Sequence, residues 1–193
     1  MAFETILAET IIYAWPVIPI FWLTTHLLAI YSKRSSGPLP YLFTLMAYSP
    51  LGLLLHKEMS ALIGNAYPLP MPFRVFGWTL FIAGCLVHMW TIYLLGIRIV
   101  GLPEIAKGWR TDIVTSGPFK YSRHPTYLAH HLMFVGAWLA TGFYSLLVVA
   151  VLDILMTQLV IIPLEESELK RRFGPKYEEY KRRTPRILGP TRS

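Results

Sequence analysis

The stretch PTYLAHHLMFVGAWLATGFYSLLVVAVLDILMTQLVIIPL, residues 125–164, decides the fold. It holds neither lysine nor arginine, and its one acidic residue is Asp153. About 20 residues of this kind, rising about 1.5 Å each as a helix, cross the roughly 30 Å hydrocarbon core of a bilayer. The run is twice that length and is interrupted once, at Thr141-Gly142-Phe143-Tyr144. It predicts two membrane helices, near 125–142 and 144–164, folded back on each other, because so short a connection forces antiparallel neighbours. Their lengths match. The start of the first, at Arg123-His124-Pro125, is therefore expected beside the end of the second, at Glu165-Glu166.

Three more apolar runs precede this hairpin, near 5–30, 41–63 and 73–100. Pro16 is expected to kink the first, and Pro50 to break the second. The composition agrees, at 54% hydrophobic and only 15% charged, where soluble domains carry about a quarter charged residues. Five such runs do not fit inside a soluble domain of 193 residues. The expected fold is an all-α integral membrane protein. One domain, 1–193, would have about five transmembrane helices and a C-terminal helical segment.

Charge placement sets the expected orientation. Five crossings put sixteen of the eighteen lysines and arginines on one side, leaving only Lys57 and Arg74 opposite. Positive residues stay cytoplasmic, so the N-terminus is expected outside and the C-terminal tail inside. Glu4 and Glu9 near the N-terminus read as part of a first span rather than a cleaved leader. The net charge of +7 is then topology plus attraction to anionic headgroups, and it gives no reason to expect nucleic acid. Cys85 lies inside an apolar run, where a lone thiol acts as a small apolar side chain.

The two hydrophilic pieces, 101–127 and 165–187, are where chemistry is expected, both on the cytoplasmic side. Pro125 suits the first turn of a helix, and the free N–H groups of that turn attract an anion. Arg123 and His124 add to this. Glu165 and Glu166, at the facing helix end, suit a cation or vicinal hydroxyls. A ligand with a carboxylate at one end and a cation plus a ribose at the other matches both, and S-adenosylmethionine is one such ligand. Each half also has an ordinary account: Arg123 as a membrane anchor, the acids as a solvated helix end pairing with Lys170.

The residues here carry a resemblance. Gly117-Pro118-Phe119-Lys120-Tyr121-Ser122-Arg123-His124-Pro125-Thr126-Tyr127 resembles the G-P-(F/Y)-x-(Y/W)-x-R-H-P-x-Y signature of the isoprenylcysteine carboxyl methyltransferase family. Glu165-Glu166, Leu169, Phe173-Gly174, Tyr177, Tyr180 and Thr184-Pro185 follow in that family's order. The resemblance implies methyl transfer from S-adenosylmethionine, leaving S-adenosylhomocysteine, to a lipid-tailed acceptor entering from the bilayer. Carried over by position, cofactor contacts fall on Asp112, Ile113, Val114, Phe119, His124, Pro125, Thr126, Tyr127 and Glu165. Tyr121 and His131 join them on geometry, and Glu166 as the second acid. Arg123, bidentate toward a carboxylate, and Glu165 are the expected catalytic residues. No metal is expected, since His130 and His131 lack evident partners. The sequence fixes no oligomeric state, and a monomer suffices.

Two positions depart from the family's pattern. Ala129 stands where many members have glycine, and Val160-Ile161-Ile162-Pro163 holds no arginine one turn before the acids. Three other readings stay open: a phospholipid or small-amine methyltransferase, an NADPH-dependent sterol-type reductase, and a non-catalytic membrane scaffold with a basic tail. The reductases usually carry Asn where this chain has Thr126. Asp153, an acid within a span, is expected to pair with His131 or His88, as a brace or as part of an acceptor channel.

Overall fold

The computed structural model describes residues 2–31, 39–96 and 112–189. Lys33 and Arg34, the end of the third predicted span with Arg98, residues 101–111 of the predicted cofactor region, and Arg192 lie outside them. Among the described residues the chain is helical, with one isolated antiparallel bridge between Ala66 and Phe143.

Helix α1 (Ala2–Ala14) passes through a two-residue turn at Trp15–Pro16 into α2 (Val17–Tyr31), so Pro16 interrupts the first predicted span as expected. Helix α3 (Leu39–Ile63) runs straight through Pro50, which the sequence predicts as a break. The proline removes one backbone donor, and the turns on either side carry the helix across it. Helix α4 (Met71–Leu95) follows, then a 3₁₀ turn (Gly117–Lys120) and the hairpin of α5 (Pro125–Thr141) and α6 (Tyr144–Met156).

The fifth predicted span does not stop at Pro163-Leu164. Helix α6 widens into a π turn (Thr157–Ile161) and continues as α7 (Ile162–Phe173). The Ile162 N–H reaches back five residues to the Thr157 carbonyl. This wider turn gives room for the Pro163 ring, which would clash in an unbroken α-helix. The apolar part still ends at Leu164, and Glu165 begins a charged stretch. Helix α8 (Pro175–Arg183) closes the described chain after Gly174.

Among the described residues, three helical stretches are long and apolar enough to cross a membrane: Ala2–Thr24, Met71–Leu95 and Tyr144–Phe173. Helix α5 has 17 residues, and α3 is interrupted by His56, Lys57 and Glu58 near its end. The outer surface of α4 is apolar, with Phe73, Phe76, Ile82, Leu86 and Met89 all exposed. An apolar exterior is what a helix facing lipid requires.

The hairpin is held by glycine. Gly142 closes α5 in the left-handed region (φ +79°), its N–H bonded to the Trp138 carbonyl, and a Cβ there would strike the Tyr67 carbonyl. Helices α4 and α5 pack backbone to backbone, since a Cβ on Gly84 would sit 2.8 Å from the Ala129 carbonyl. The close approach that a glycine at position 129 would permit is thus supplied by Gly84 on the partner helix. At the hairpin's turn end, Arg74 Nη2 pairs with Glu4 at 2.7 Å and its Nε donates to the Ala140 carbonyl at 3.1 Å. Arg74→Ala is expected to cost about 1–2 kcal/mol, read by thermal unfolding in detergent, because the buried Ala140 carbonyl and the half-buried Glu4 both lose a donor.

Candidate active site

The antiparallel hairpin brings the two polar clusters together at its open end. Glu166 is buried, and Arg123 Nη2 lies 2.9 Å from its Oε1. His124, 3% exposed, spans both acids: Nδ1 is 3.3 Å from Glu165 Oε2, and Nε2 is 3.3 Å from Glu166 Oε1. An imidazole facing a carboxylate at each nitrogen is best served as the doubly protonated cation. Lys181 and Arg186, more exposed, each approach Glu166 to 3.7 Å.

The C-terminal segment is laced onto the mouth by backbone. The Arg123 N–H donates to the Pro185 carbonyl at 2.9 Å, and the His124 N–H to the Arg186 carbonyl at 3.1 Å. Ser122 Oγ donates to the same Arg186 carbonyl. The Tyr180 hydroxyl donates to the Phe119 carbonyl at 2.7 Å, tying α8 to the 3₁₀ turn. Gly117 starts that turn with φ +58°, and a Cβ there would lie 2.7 Å from Leu94 Cδ1. Glycine at 117 is therefore favoured by the backbone conformation of the turn.

Burial pulls the His124 pKa down, but Glu165 and Glu166 outweigh it and hold the group above its ordinary value. Burial raises Glu166, and its bond to His124 with the charge of Arg123 pulls it down to about 2. The two shifts set opposite limits. Glu166 contributes stability above its ordinary value of 4.5 and loses it as pH falls toward about 2. His124 contributes fully below its ordinary 6.5 and loses its contribution as pH rises through its raised folded value. Thermal unfolding across pH is therefore expected to show greatest stability between about 4.5 and 6.5, with Glu166→Gln removing the acid-side fall.

Of the residues singled out in the sequence, Phe119, Arg123, His124, Pro125, Tyr127, Glu165 and Glu166 gather at or just under this mouth. Tyr127 is buried, stacks on His124 at 5.8 Å between ring centres and packs with Ile161 and Ile162. Thr126, Ile113 and Val114 are half-buried. Asp112 is exposed and pairs with Lys176 on α8 at 3.1 Å. Tyr121 is 65% exposed, with Lys120 over its ring, so it stands apart from the cluster. His131 also lies apart, deeper in the bundle, where its Nε2 is 2.9 Å from Thr157 Oγ1 and 3.6 Å from Asp153 Oδ2.

Sequence reasoning missed Ser122, Tyr177, Lys181 and Arg186. The first two are buried polar groups with no charge to mark them, and the two cations were absorbed into the count of cytoplasmic positives. Among the described residues, Arg123 Nε and the Tyr177 hydroxyl are buried at the mouth with no hydrogen-bond partner. Such groups are costly unless a ligand satisfies them. The donor set fits the polar end of S-adenosylmethionine: buried cationic donors for a carboxylate, and paired acids for an ammonium or vicinal hydroxyls.

The chain is similar to the nickel-cobalt-cadmium resistance protein NccN of Alcaligenes xylosoxydans xylosoxydans, at 33% identity over 75 residues. Those residues are 39% of this chain and 35% of that protein, so the chain spans about a third of the relative's length. No solved structure matches. The phospholipid methyltransferase family matches residues 73–176, more than half of the chain, covering α4, the 3₁₀ turn, the hairpin and the start of α8. With three helices able to cross a membrane and this match, the chain belongs to the phospholipid methyltransferase family of membrane methyltransferases.

Proposed function

We propose that this protein transfers a methyl group from S-adenosylmethionine to the polar head of a lipid-tailed acceptor that enters from the bilayer. The observation that carries this is the meeting of Arg123 and His124 with Glu165 and Glu166 at one buried mouth. The mouth is cytoplasmic in this proposal, the N-terminus is outside, and 1–193 is one domain. Helices α3 and α5 complete five crossings.

The cofactor supplies an activated methyl group on a sulfonium. The chain's own residues bind and orient it. Arg123 and His124 hold its carboxylate, Glu165 and Glu166 take its ammonium or ribose hydroxyls, and Phe119 and Tyr127 offer aromatic faces to its cationic or adenine parts. Burial of Tyr127, Ile161 and Ile162 under the mouth keeps water from the reacting atoms. Alignment in a dry pocket is then the main catalytic contribution.

The sequence resemblance favours a carboxylate acceptor such as isoprenylated cysteine. Two observations favour an amine instead: the match to a phospholipid methyltransferase family, and Val160–Pro163, which offers no cation for an acceptor carboxylate. Calorimetry on the purified protein tests the common part. S-adenosylmethionine and S-adenosylhomocysteine are expected to bind, and Glu165→Ala to weaken both by about tenfold or more, through loss of a charge-assisted contact. Binding of NADPH alone would move the chain to the reductases.

A further inference from the structure

Below the mouth, a buried acid sits inside the bundle. Asp153 on α6 is 2% exposed. Its Oδ1 accepts from the Trp15 indole N–H at 3.1 Å, from the turn between α1 and α2. Its Oδ2 is buried, with no hydrogen-bond partner among the described residues. His131 on α5 faces that oxygen at 3.6 Å, and Tyr127 is the other titratable group that feels it. The Thr157 hydroxyl spends its one proton on backbone carbonyls, 2.7 Å from that of Asp153. Toward His131 it is therefore an acceptor, so His131 Nε2 carries a proton.

A carboxylate oxygen left unsatisfied inside a membrane protein is expensive, and such residues usually serve substrate or proton traffic. Asp153 lies twelve residues before Glu165, roughly 18 Å from the mouth along its own helix, and His131 reaches it from the seventh residue of α5. The π turn that begins at Thr157 lies at the same place, and such turns recur at functional sites.

We propose that Asp153, oriented by Trp15 and faced by His131, is the acceptor-side base that binds a protonated amine head and takes its proton. This rests on the proposed methyltransferase function. An ammonium has no lone pair and cannot attack a methyl group. Transfer of one N–H proton to Asp153 Oδ2 leaves the bonding pair on nitrogen. That pair forms the new N–C bond as the C–S bond breaks, its electrons passing to sulfur to give the neutral thioether. The methylated nitrogen is positive again, and Asp153 must release its proton before the next turnover. A carboxylate acceptor has no proton to lose, so Asp153 would serve no purpose toward it.

The test uses the full chain in detergent, labelled S-adenosylmethionine, and vesicles containing phosphatidylethanolamine, beside a soluble isoprenylated cysteine. D153N is expected to keep cofactor affinity within about twofold and to lose roughly 100-fold or more in turnover of the amine lipid, the usual contribution of a positioned base. Its residual rate is expected to climb about tenfold per pH unit until the free amine predominates, because hydroxide then does the base's work. D153E is expected to recover part of the rate. Unchanged turnover in D153N overturns the proposal. So does a loss with no recovery at high pH and no rescue in D153E, which marks a structural brace. Methylation of the isoprenylated cysteine alone by the wild type overturns it as well. If D153N does not fold, H131Q reads the same site, and a pH profile for the amine lipid identical to wild type overturns the proposal. Failure of the wild type to bind the cofactor would instead remove the methyltransferase function itself.

Discussion

Glu166→Ala is expected to destabilise the protein by about 3–5 kcal/mol, the cost of leaving buried charges without their partner. Two cations depend on this one carboxylate. Arg123 has a side chain only 8% exposed and lies 2.9 Å from it, and His124 is almost fully enclosed. Among the described residues the Arg123 Nε already has no hydrogen bond, so removing Glu166 adds a second unmet demand on the same group. Lys181 and Arg186 would lose their approach to the acid too, but both are 44% exposed and return to solvent cheaply. Lys181→Ala and Arg186→Ala are therefore expected to change stability by less than about 1 kcal/mol. For a chain of this size the Glu166→Ala loss corresponds to a fall in melting temperature on the order of 10 °C. Glu166→Gln, which keeps shape and one acceptor but no charge, should fall between. A Glu166→Ala protein that melts within a degree or two of wild type would show that the mouth is hydrated and its charges do not depend on each other. The mutation is also expected to abolish measurable cofactor binding, because the cations it releases no longer hold a fixed geometry.

The hairpin and its meeting of charges were legible because they follow from run length and turn length alone. Forty apolar residues with one interruption leave little choice, and Pro125, Glu165 and Glu166 mark the ends. What was not legible depended on how the backbone absorbs a proline. Pro50 and Pro163 have the same local rule, yet α3 runs through the first and α6 widens into a π turn before the second. The sequence holds no sign of that choice, since it depends on what packs outside each turn. Trp15 is another such case. Only the turn at Pro16 aims its indole N–H at Asp153, 138 residues away. Asp112 and Tyr121 fail in the opposite way. They sit close in sequence to the cluster, but an exposed loop and a 3₁₀ end direct them outward.

Gly136→Val is expected to disrupt the α4–α5 pair more severely than any single surface change. A Cβ at this position would lie 2.6 Å from the Phe81 nitrogen and 2.7 Å from the Gly77 carbonyl oxygen. The obstacles are backbone atoms of a neighbouring helix, so no side-chain rotation relieves them. Gly77 meets the reverse constraint, with a Cβ 2.5 Å from the Ala140 nitrogen and 2.8 Å from the Gly136 carbonyl. Close backbone approach at small residues is how helices associate where lipid offers no hydrophobic drive between them. Valine brings two further carbons beyond Cβ, so the helices must separate. The expected cost is about 3 kcal/mol or more, at or above the usual upper range for overpacking. Gly174→Ala provides the contrast. Its φ is +52° with ψ −126°, a backbone that side-chain-bearing residues rarely adopt, but no atom lies within 4 Å of its Cβ position. Only conformational strain of about 1–3 kcal/mol applies there. Thermal unfolding of the two variants in one detergent separates close packing from backbone strain. A Gly136→Val protein as stable as Gly174→Ala would mean that α4 and α5 are not in backbone contact. Because α5 carries His124 and Tyr127 at its start, separating it from α4 should weaken S-adenosylmethionine binding without altering any residue at the mouth. Gly174→Ala, at the corner between α7 and α8, is expected to leave that binding within about twofold, since its strain is local.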